Sequence, residues 1–270
     1  MSTVIGRLEL GRAEHSPINY SGNLMAQKEL KIQESISGKK QSKLKRYQQL
    51  VIGSEKFSDL IVYELVTTFF SWVPGALGLF IRSKLYPLLL AEVGAGTVFG
   101  TNVVLRHPKK IRIGSNVVID DNVMLDAKGL DNEGITLENE VFIGRNTILS
   151  CKGGDIVLQE RANFGFNCYV FSSNRVIVGR DTLVAAYCYI VGGGNYHLIN
   201  KEIPINQQVD FEGRGGITLK GDIWLGSHSV ILDGVTIGQG SVVAAGSMVN
   251  KDVGEMVIVA GTPAHVLKER

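Results

Sequence analysis

The sequence predicts an all-β solenoid, a parallel β-helix of hexapeptide rungs, preceded by a partly helical N-terminal extension. Three observations carry this reading. First, residues 223–253 repeat in steps of six: Leu225, Ile231, Ile237, Val243 and Val249 hold one register, and Ser229, Val235, Ser241, Ser247 and Val253 follow four residues later. A helix repeats near 3.6 and an ordinary strand near 2, so a sustained period of six fits neither alone. It fits coils in which each rung supplies one short strand and one turn, stacked so that the aliphatics form a continuous column. Second, aromatics are 7% of the chain against 32 glycines and 44% hydrophobic residues, the balance of a narrow prism filled with Val and Ile. Third, an apolar run of different character, broken by Pro74-Gly75, lies ahead of the repeat.

Residues 1–23 show no usable period. From Leu24 to Leu50 the chain is polar and Lys-rich, with Lys39, Lys40, Lys43, Lys45 and Arg46 close together. Between Glu64 and Arg82 there is no charge. That run is short for a spanning helix, which needs about 20 apolar residues, and Pro74 interrupts its backbone bonding. Two helices are expected instead, over 58–73 and 76–90. Their apolar faces either lie in a membrane interface, with Arg82, Lys84 and the upstream lysines on anionic head groups, or pack on the base of the prism or on a neighbouring subunit. Peripheral membrane contact through residues 56–91 is the expectation.

The register begins near Val93 and is clear at Ile113-Gly114, Ile119-Asp120, Leu137, Ile143-Gly144, Leu149, Leu158, Phe164-Gly165, Val170, Val178-Gly179, Val184-Ala185 and Ile190. Asn116, Asn122, Asn146 and Asn167 fall at corners, where Asn tolerates the left-handed conformation. The division expected is therefore an extension, 1–92, and a β-helix domain, 93–270. Breaks at 130–134, 152–155 and 192–216 read as loops leaving corners, and function tends to sit on such loops. The 25-residue break at 192–216 is the widest. It holds His197, with Glu202, Asp210 and Glu212. His15, His107, His228 and His265 lie in the leader, before Pro108 at a corner, at a turn within a rung and past the last coil.

Net charge is +2, split as +4 over 1–92 and −2 over 93–270. This favours no nucleic-acid partner, and none is expected. Three cysteines argue for a reducing compartment rather than a disulfide framework. With no apolar signal region after Met1, the expected location is cytoplasmic, at the inner face of the membrane if the extension touches it.

The repeat at 223–253, the ending Val259-Ala260-Gly261-Thr262-Pro263-Ala264 and the loop in which His197 precedes Ile203-Pro204-Ile205-Asn206-Gln207-Gln208 resemble the hexapeptide-repeat acyltransferases. The nearest look is to the branch that O-acetylates sugars of polysaccharides. The resemblance covers about residues 93–268. It implies a left-handed helix with about 18 residues per coil, a homotrimer, and acetyl-coenzyme A bound between subunits. Residue by residue, it implies His197 as general base on a sugar, glycan or lipid-linked glycan hydroxyl. The hydroxyl attacks the thioester directly in a ternary complex, with backbone N–H groups of Gly192-Gly193-Gly194 or a nearby rung facing the oxyanion. Glu202 or Asp210 is the candidate to fix the imidazole tautomer. Trp224, Ser227, Ala245, Gly246, Ser247, Lys251 and Lys268 fall where the family holds the coenzyme. Asn195, Tyr196 and Gln207 fall beside the acceptor. In this chain Tyr196 takes the place after the glycines that the branch usually gives to the histidine. N-acylation of an amino sugar, or a scaffold without catalysis, are the other readings. No metal is expected: carbonic anhydrases on this fold use three histidines, and none of the five here has a partner at ligand spacing. Cys168 and Cys188 fall in the small-residue slot of a rung, which assigns them to structure.

Overall fold

The computed structural model describes residues 42–193, 201, 202, 204 and 213–270. The loop residues Asn195, Tyr196, His197, Gln207 and Asp210, like Lys39 and Lys40, lie outside the described residues. From Glu92 onward the chain winds as a parallel β-helix of seven coils, the left-handed solenoid of hexapeptide rungs. Strands two to four residues long, with a longer closing hairpin, stack into three sheets. The first sheet runs from Glu92–Val93 to Thr236–Ile237. The second starts at Val98–Phe99 and ends on the hairpin Val257–Gly261 and Ala264–Glu269. The third runs from Val104–Arg106 to Met248–Val249.

The period of six has a direct structural counterpart. Leu225, Ile231, Ile237, Val243 and Val249 are all buried in the prism, and so are Ser229, Val235, Ser241, Ser247 and Val253. Cys168 and Cys188 occupy the same inward column as Ser229 and Ser247, with thiols donating to Ala185 O at 3.1 Å and Gly226 O at 3.2 Å. Each coil turns two of its corners through a left-handed residue. The first corner uses Gly96, Asn116, Glu140, Arg161, Asp181, Asp222 and Gly240; the second uses Asn102, Asn122, Asn146, Asn167, Tyr187, His228 and Gly246. The four asparagines read from the sequence are among them, at φ 55–59°.

Eighteen residues per coil holds only at the end of the prism, where Trp224 pairs with Val242. Earlier partners are farther apart: Asn163 pairs with Leu183, Phe142 with Asn163 and Val118 with Phe142. The additional residues gather at the third corner, where 127–134, 152–155, 173–175 and 193–216 leave the regular path. One edge of the prism therefore carries every insertion.

Helix α1, Lys43–Tyr47, continues through a wider turn, Gln48–Ile52, that ends on Gly53 in the left-handed region. Helices α2, Phe57–Phe70, and α3, Gly75–Leu89, follow. Helix α2 stops short of the expected Val73 because Pro74 disfavours helical geometry in the residue before it. The carbonyls freed there are taken by Arg82, which is 1% exposed and donates to Val73 O at 2.6 Å, Phe70 O at 3.3 Å and Phe99 O at 2.9 Å. The expectation that Arg82 faces lipid head groups is thus corrected. A guanidinium buried beneath the helix pair spends its donors on main-chain oxygens. Tyr63 donates to Leu105 O at 2.8 Å, and Tyr86 packs on Phe99 with ring centroids 5.1 Å apart. The helices close the first coils, sharing one core with the prism.

Candidate active site

The widest insertion leaves the third corner after Tyr189–Gly192 and returns before Ile217–Leu219. Its two ends are fastened differently. At the exit from the prism, Gly192 O accepts Ser173 N–H at 2.8 Å and Asn174 N–H at 2.9 Å. At the return, the carboxylate of Asp233, from the coil above, accepts Arg214 N–H at 2.8 Å and Gly216 N–H at 2.9 Å. Asn174 is buried and turns its amide to the same carboxylate at 3.3 Å. Gly216, at φ 91°, has no room for a side chain: a Cβ would meet Arg175 O at 2.0 Å. Asp155 holds the 127–134 insertion in the same way, accepting Glu133 N–H at 2.7 Å and Gly134 N–H at 2.9 Å. Asp233 and Asn174 were not singled out from the sequence. Their signal is positional, since both sit at the third corner directly below or above the longest break.

Of the residues that the resemblance placed on the coenzyme, four come together. Trp224 is exposed on the second sheet and Ser227 follows at the second corner. Ala245 and Gly246 lie on the next coil, both exposed, and Gly246 N–H donates to Ser227 O at 2.9 Å. Contact between these coils is close, for a Cβ on Gly226 would stand 2.5 Å from Ala245 N. Ser247 points inward instead. It is buried, its hydroxyl accepts Gly261 N–H at 3.1 Å and its carbonyl accepts Val230 N–H at 2.8 Å, so it is closed to a ligand. Lys251 is exposed near the third corner of the last coil, away from the Ser227 column. Lys268 is exposed on the closing hairpin, paired with Ile258. Glu202 is exposed, and Gly192 and Gly193 stand at the loop's first anchor.

Below Ser227 the second corner carries an aromatic column that the sequence reading missed. His228 stacks on Tyr187 at 5.0 Å and 13°, Tyr187 meets Phe166 edge-on at 5.7 Å, and the Arg145 guanidinium lies 5.9 Å from the Phe166 ring centroid. These residues are one coil apart, so laying the corners of successive coils side by side would have revealed them. Tyr187 and His228 hold the left-handed conformation that their neighbours give to Asn or Gly. Such strain is concentrated at functional positions.

Neither Cys151 nor Cys188 offers a nucleophile. Burial pushes the Cys151 thiol up to about 12, and hydrogen bonding to Cys168 together with burial raises Cys188. The thiolate is the reactive form, so neither is poised for attack. His107 is mostly buried beside the N-terminal turn, 2.9 Å from Gln49 O, and burial lowers its pKa. It lines a cavity of about 410 Å³ with Arg46, Lys110 and Lys128 at the far end of the insertion edge. Lys110 is engaged by Gly129 O at 2.8 Å and Lys128 by Asp126 at 3.0 Å. Among the described residues no group of three His, Cys, Asp or Glu side chains is placed to hold a metal ion.

Comparison with known proteins fits this geometry. A family described as "Hexapeptide repeat of succinyl-transferase" matches residues 224–251. Galactoside O-acetyltransferase of Escherichia coli (strain K12) is 28% identical over 184 residues, which are 66% of this chain and 87% of that one. A 2,3,4,5-tetrahydropyridine-2,6-dicarboxylate N-acetyltransferase of Clostridium perfringens (strain SM101 / Type A) is 56% identical over 50 residues, 18% of this chain and 21% of its own. Among solved structures, an AntD N-acyltransferase mutant from Bacillus cereus, in complex with dTDP and coenzyme A, aligns at 24% identity and a TM-score of 0.49, covering 70% of this chain and 89% of that one. That last overlap is too loose to carry an inference. Periodicity, coils and alignment across most of an acetyltransferase agree: the chain is similar to the hexapeptide-repeat acyltransferases.

Proposed function

We propose that this enzyme transfers an acetyl group from acetyl-coenzyme A to a hydroxyl of a sugar or glycan precursor. The observation that carries the reading is the alignment with a galactoside O-acetyltransferase through the same prism that holds the anchored loop. In this reading residues 93–270 are the transferase domain and 1–92 its extension. His197 takes the acceptor proton, a task suited to an imidazole whose ordinary pKa lies near working pH. The alkoxide forms a bond to the thioester carbonyl carbon, the tetrahedral intermediate collapses with cleavage of the C–S bond, and coenzyme A leaves as the thiolate, which takes up a proton. N–H groups at Gly192-Gly193-Gly194 are the candidate donors to the oxyanion, and Glu202 or Asp210 orients the base. The pantetheine arm runs along Trp224, Ser227, Ala245 and Gly246, and Lys251 and Lys268 reach toward phosphates. Asn195, Tyr196 and Gln207 meet the acceptor.

The finer parts of the reading are a homotrimer with the coenzyme between subunits, and a cytoplasmic enzyme at the inner face of a membrane acting on a lipid-linked acceptor. N-acylation of an amino sugar is the second reading, favoured by the 50-residue match to an N-acetyltransferase. The test is coenzyme A release from acetyl-coenzyme A with hydroxyl and amino sugars, for the wild type and His197→Ala. Acceptor-stimulated release that falls about a hundredfold or more in the variant supports the base. Release that survives the variant removes His197 from that role, and an N-acetyl product overturns hydroxyl transfer. Absence of saturable acetyl-coenzyme A binding overturns the enzyme reading itself.

A further inference from the structure

The helix pair presents a surface that acyl transfer does not use. Its inner side is settled: Leu60, Tyr63, Val66, Tyr86 and Leu89 are buried, and Arg82 is consumed by main-chain oxygens. Its outer side is as apolar as its inner side. Ile61, Leu65, Phe69 and Trp72 follow one another at three- to four-residue spacing along α2 and the turn after it, and Leu77 and Phe80 continue the face on α3. Trp72, Leu77 and Phe80 are 61%, 65% and 63% exposed. A helix that is apolar all round belongs in an interior or in lipid, not in water. A contiguous patch of this kind marks an interaction surface.

We infer that the outer face of α2 and α3 lies in the interface of an anionic membrane. Three features favour lipid as the occupant. At 14 and 15 residues, the helices are about 21–23 Å long, too short for a hydrocarbon core of about 30 Å, so they lie along the surface rather than through it. No described helix is long and apolar enough to cross a membrane. The end of α2 carries Phe69 and Phe70, the turn after it Trp72 and α3 Phe80, the residue types that interfacial helices bury at the head-group boundary. Charge is complementary too. Lys56 is exposed at the start of α2 and Lys84 on α3, 5.8 Å from the Phe80 ring centroid, whereas the Asp59 and Glu64 carboxylates are half-buried and accept from the Ser54 and Tyr47 hydroxyls at 2.6 and 2.5 Å. Interfacial helices usually keep a polar face toward water. Here the prism takes that side, which removes the need for one.

The inference stands apart from the reaction, so its test needs no substrate. Full-length protein is sedimented with vesicles of phosphatidylcholine alone and of phosphatidylcholine with roughly one-third phosphatidylglycerol. Binding is expected to the anionic vesicles, to weaken with salt, and to fall at least about tenfold in Leu65→Ser/Phe69→Ser/Phe80→Ser, since each change removes apolar contact with the acyl boundary. The chain has two tryptophans, so Trp224→Phe leaves Trp72 as the sole reporter, and brominated acyl chains should quench it. Circular dichroism establishes that the triple variant is folded. No binding of the wild type to anionic vesicles, or equal binding by a folded triple variant, overturns the inference. A triple variant that instead lowers the molar mass by light scattering, with no vesicle binding by the wild type, assigns the face to a second copy of the chain.

Discussion

Replacing Asp233 with Ala should open the base of the long insertion without unwinding the prism. Asp233 is 5% exposed, and among the described residues its carboxylate accepts from Arg214 N–H, Gly216 N–H and the Asn174 amide. A hydrogen bond to a charged group contributes about 1.5–3 kcal/mol, and a buried donor left without a partner costs about 1–3 kcal/mol. Gly216 and Asn174 are buried and bear that cost, while Arg214 is exposed and its N–H turns to water. A local loss of about 3 kcal/mol follows, less than the 5–15 kcal/mol that holds a domain folded. At 1.4 kcal/mol per factor of ten, opening of the loop base rises about a hundredfold. Hydrogen exchange followed by mass spectrometry should show this in peptides covering 213–217, with the coils at 135–172 unchanged. Asp233→Asn keeps one acceptor and should fall between. Acetyl transfer should drop with the same ordering, because a loop misplaced by about 1 Å loses on the order of a hundredfold in rate. Unchanged exchange at 213–217, or exchange raised equally in every coil, refutes the idea that this carboxylate is a local clasp.

Two further outcomes follow from the same geometry. Burial lowers the His107 pKa in the folded protein below its usual 6.5, so the unfolded chain binds more protons and stability is lost as pH falls through and below about 6.5. Limited proteolysis of residues 42–56 should therefore quicken between pH 7.5 and 5.5, and His107→Gln should flatten that dependence; a dependence that survives the substitution removes His107 as its source. Glu140 is an exposed left-handed residue, at φ 59°, in a corner position that three of the other coils give to Gly96, Asn116 and Gly240 and three to Arg161, Asp181 and Asp222. Glu140→Asn should stabilise the protein by about 0.5–1 kcal/mol, since Asn carries less of the left-handed penalty, and a melting temperature that stays level or falls counts against the corner argument.

The prism was legible because each rung repeats the same local demand: an aliphatic inward, a small residue four later, a left-handed residue between. Leu225 to Val249 state that demand without interruption, and burial of every member shows how literally the fold obeys it. The helix pair was legible in outline for another local reason, the break at Pro74. Arg82 was not, since a guanidinium reads as surface until the carbonyls of Phe70, Val73 and Phe99 are seen around it. The site divides along the same line. That Ser227, Ala245 and Gly246 meet was legible because the repeat itself stacks them, one coil above another. Asp233, Asn174 and the column His228, Tyr187, Phe166 and Arg145 depend on which residues meet across coils of unequal length. Tyr187 and His228 are 41 residues apart yet stack at 5.0 Å, because the whole 192–216 insertion is thrown out between them. A periodicity search breaks at such an insertion and must restart its register beyond it. Pairing across the break follows only if the rungs on either side are assumed to stack, and in a solenoid that assumption is sound, since each coil has only its neighbours to cover it. The insertions that spoil the repeat therefore fall where they do not disturb the stack, and the edge on which they accumulate is the edge free to carry function.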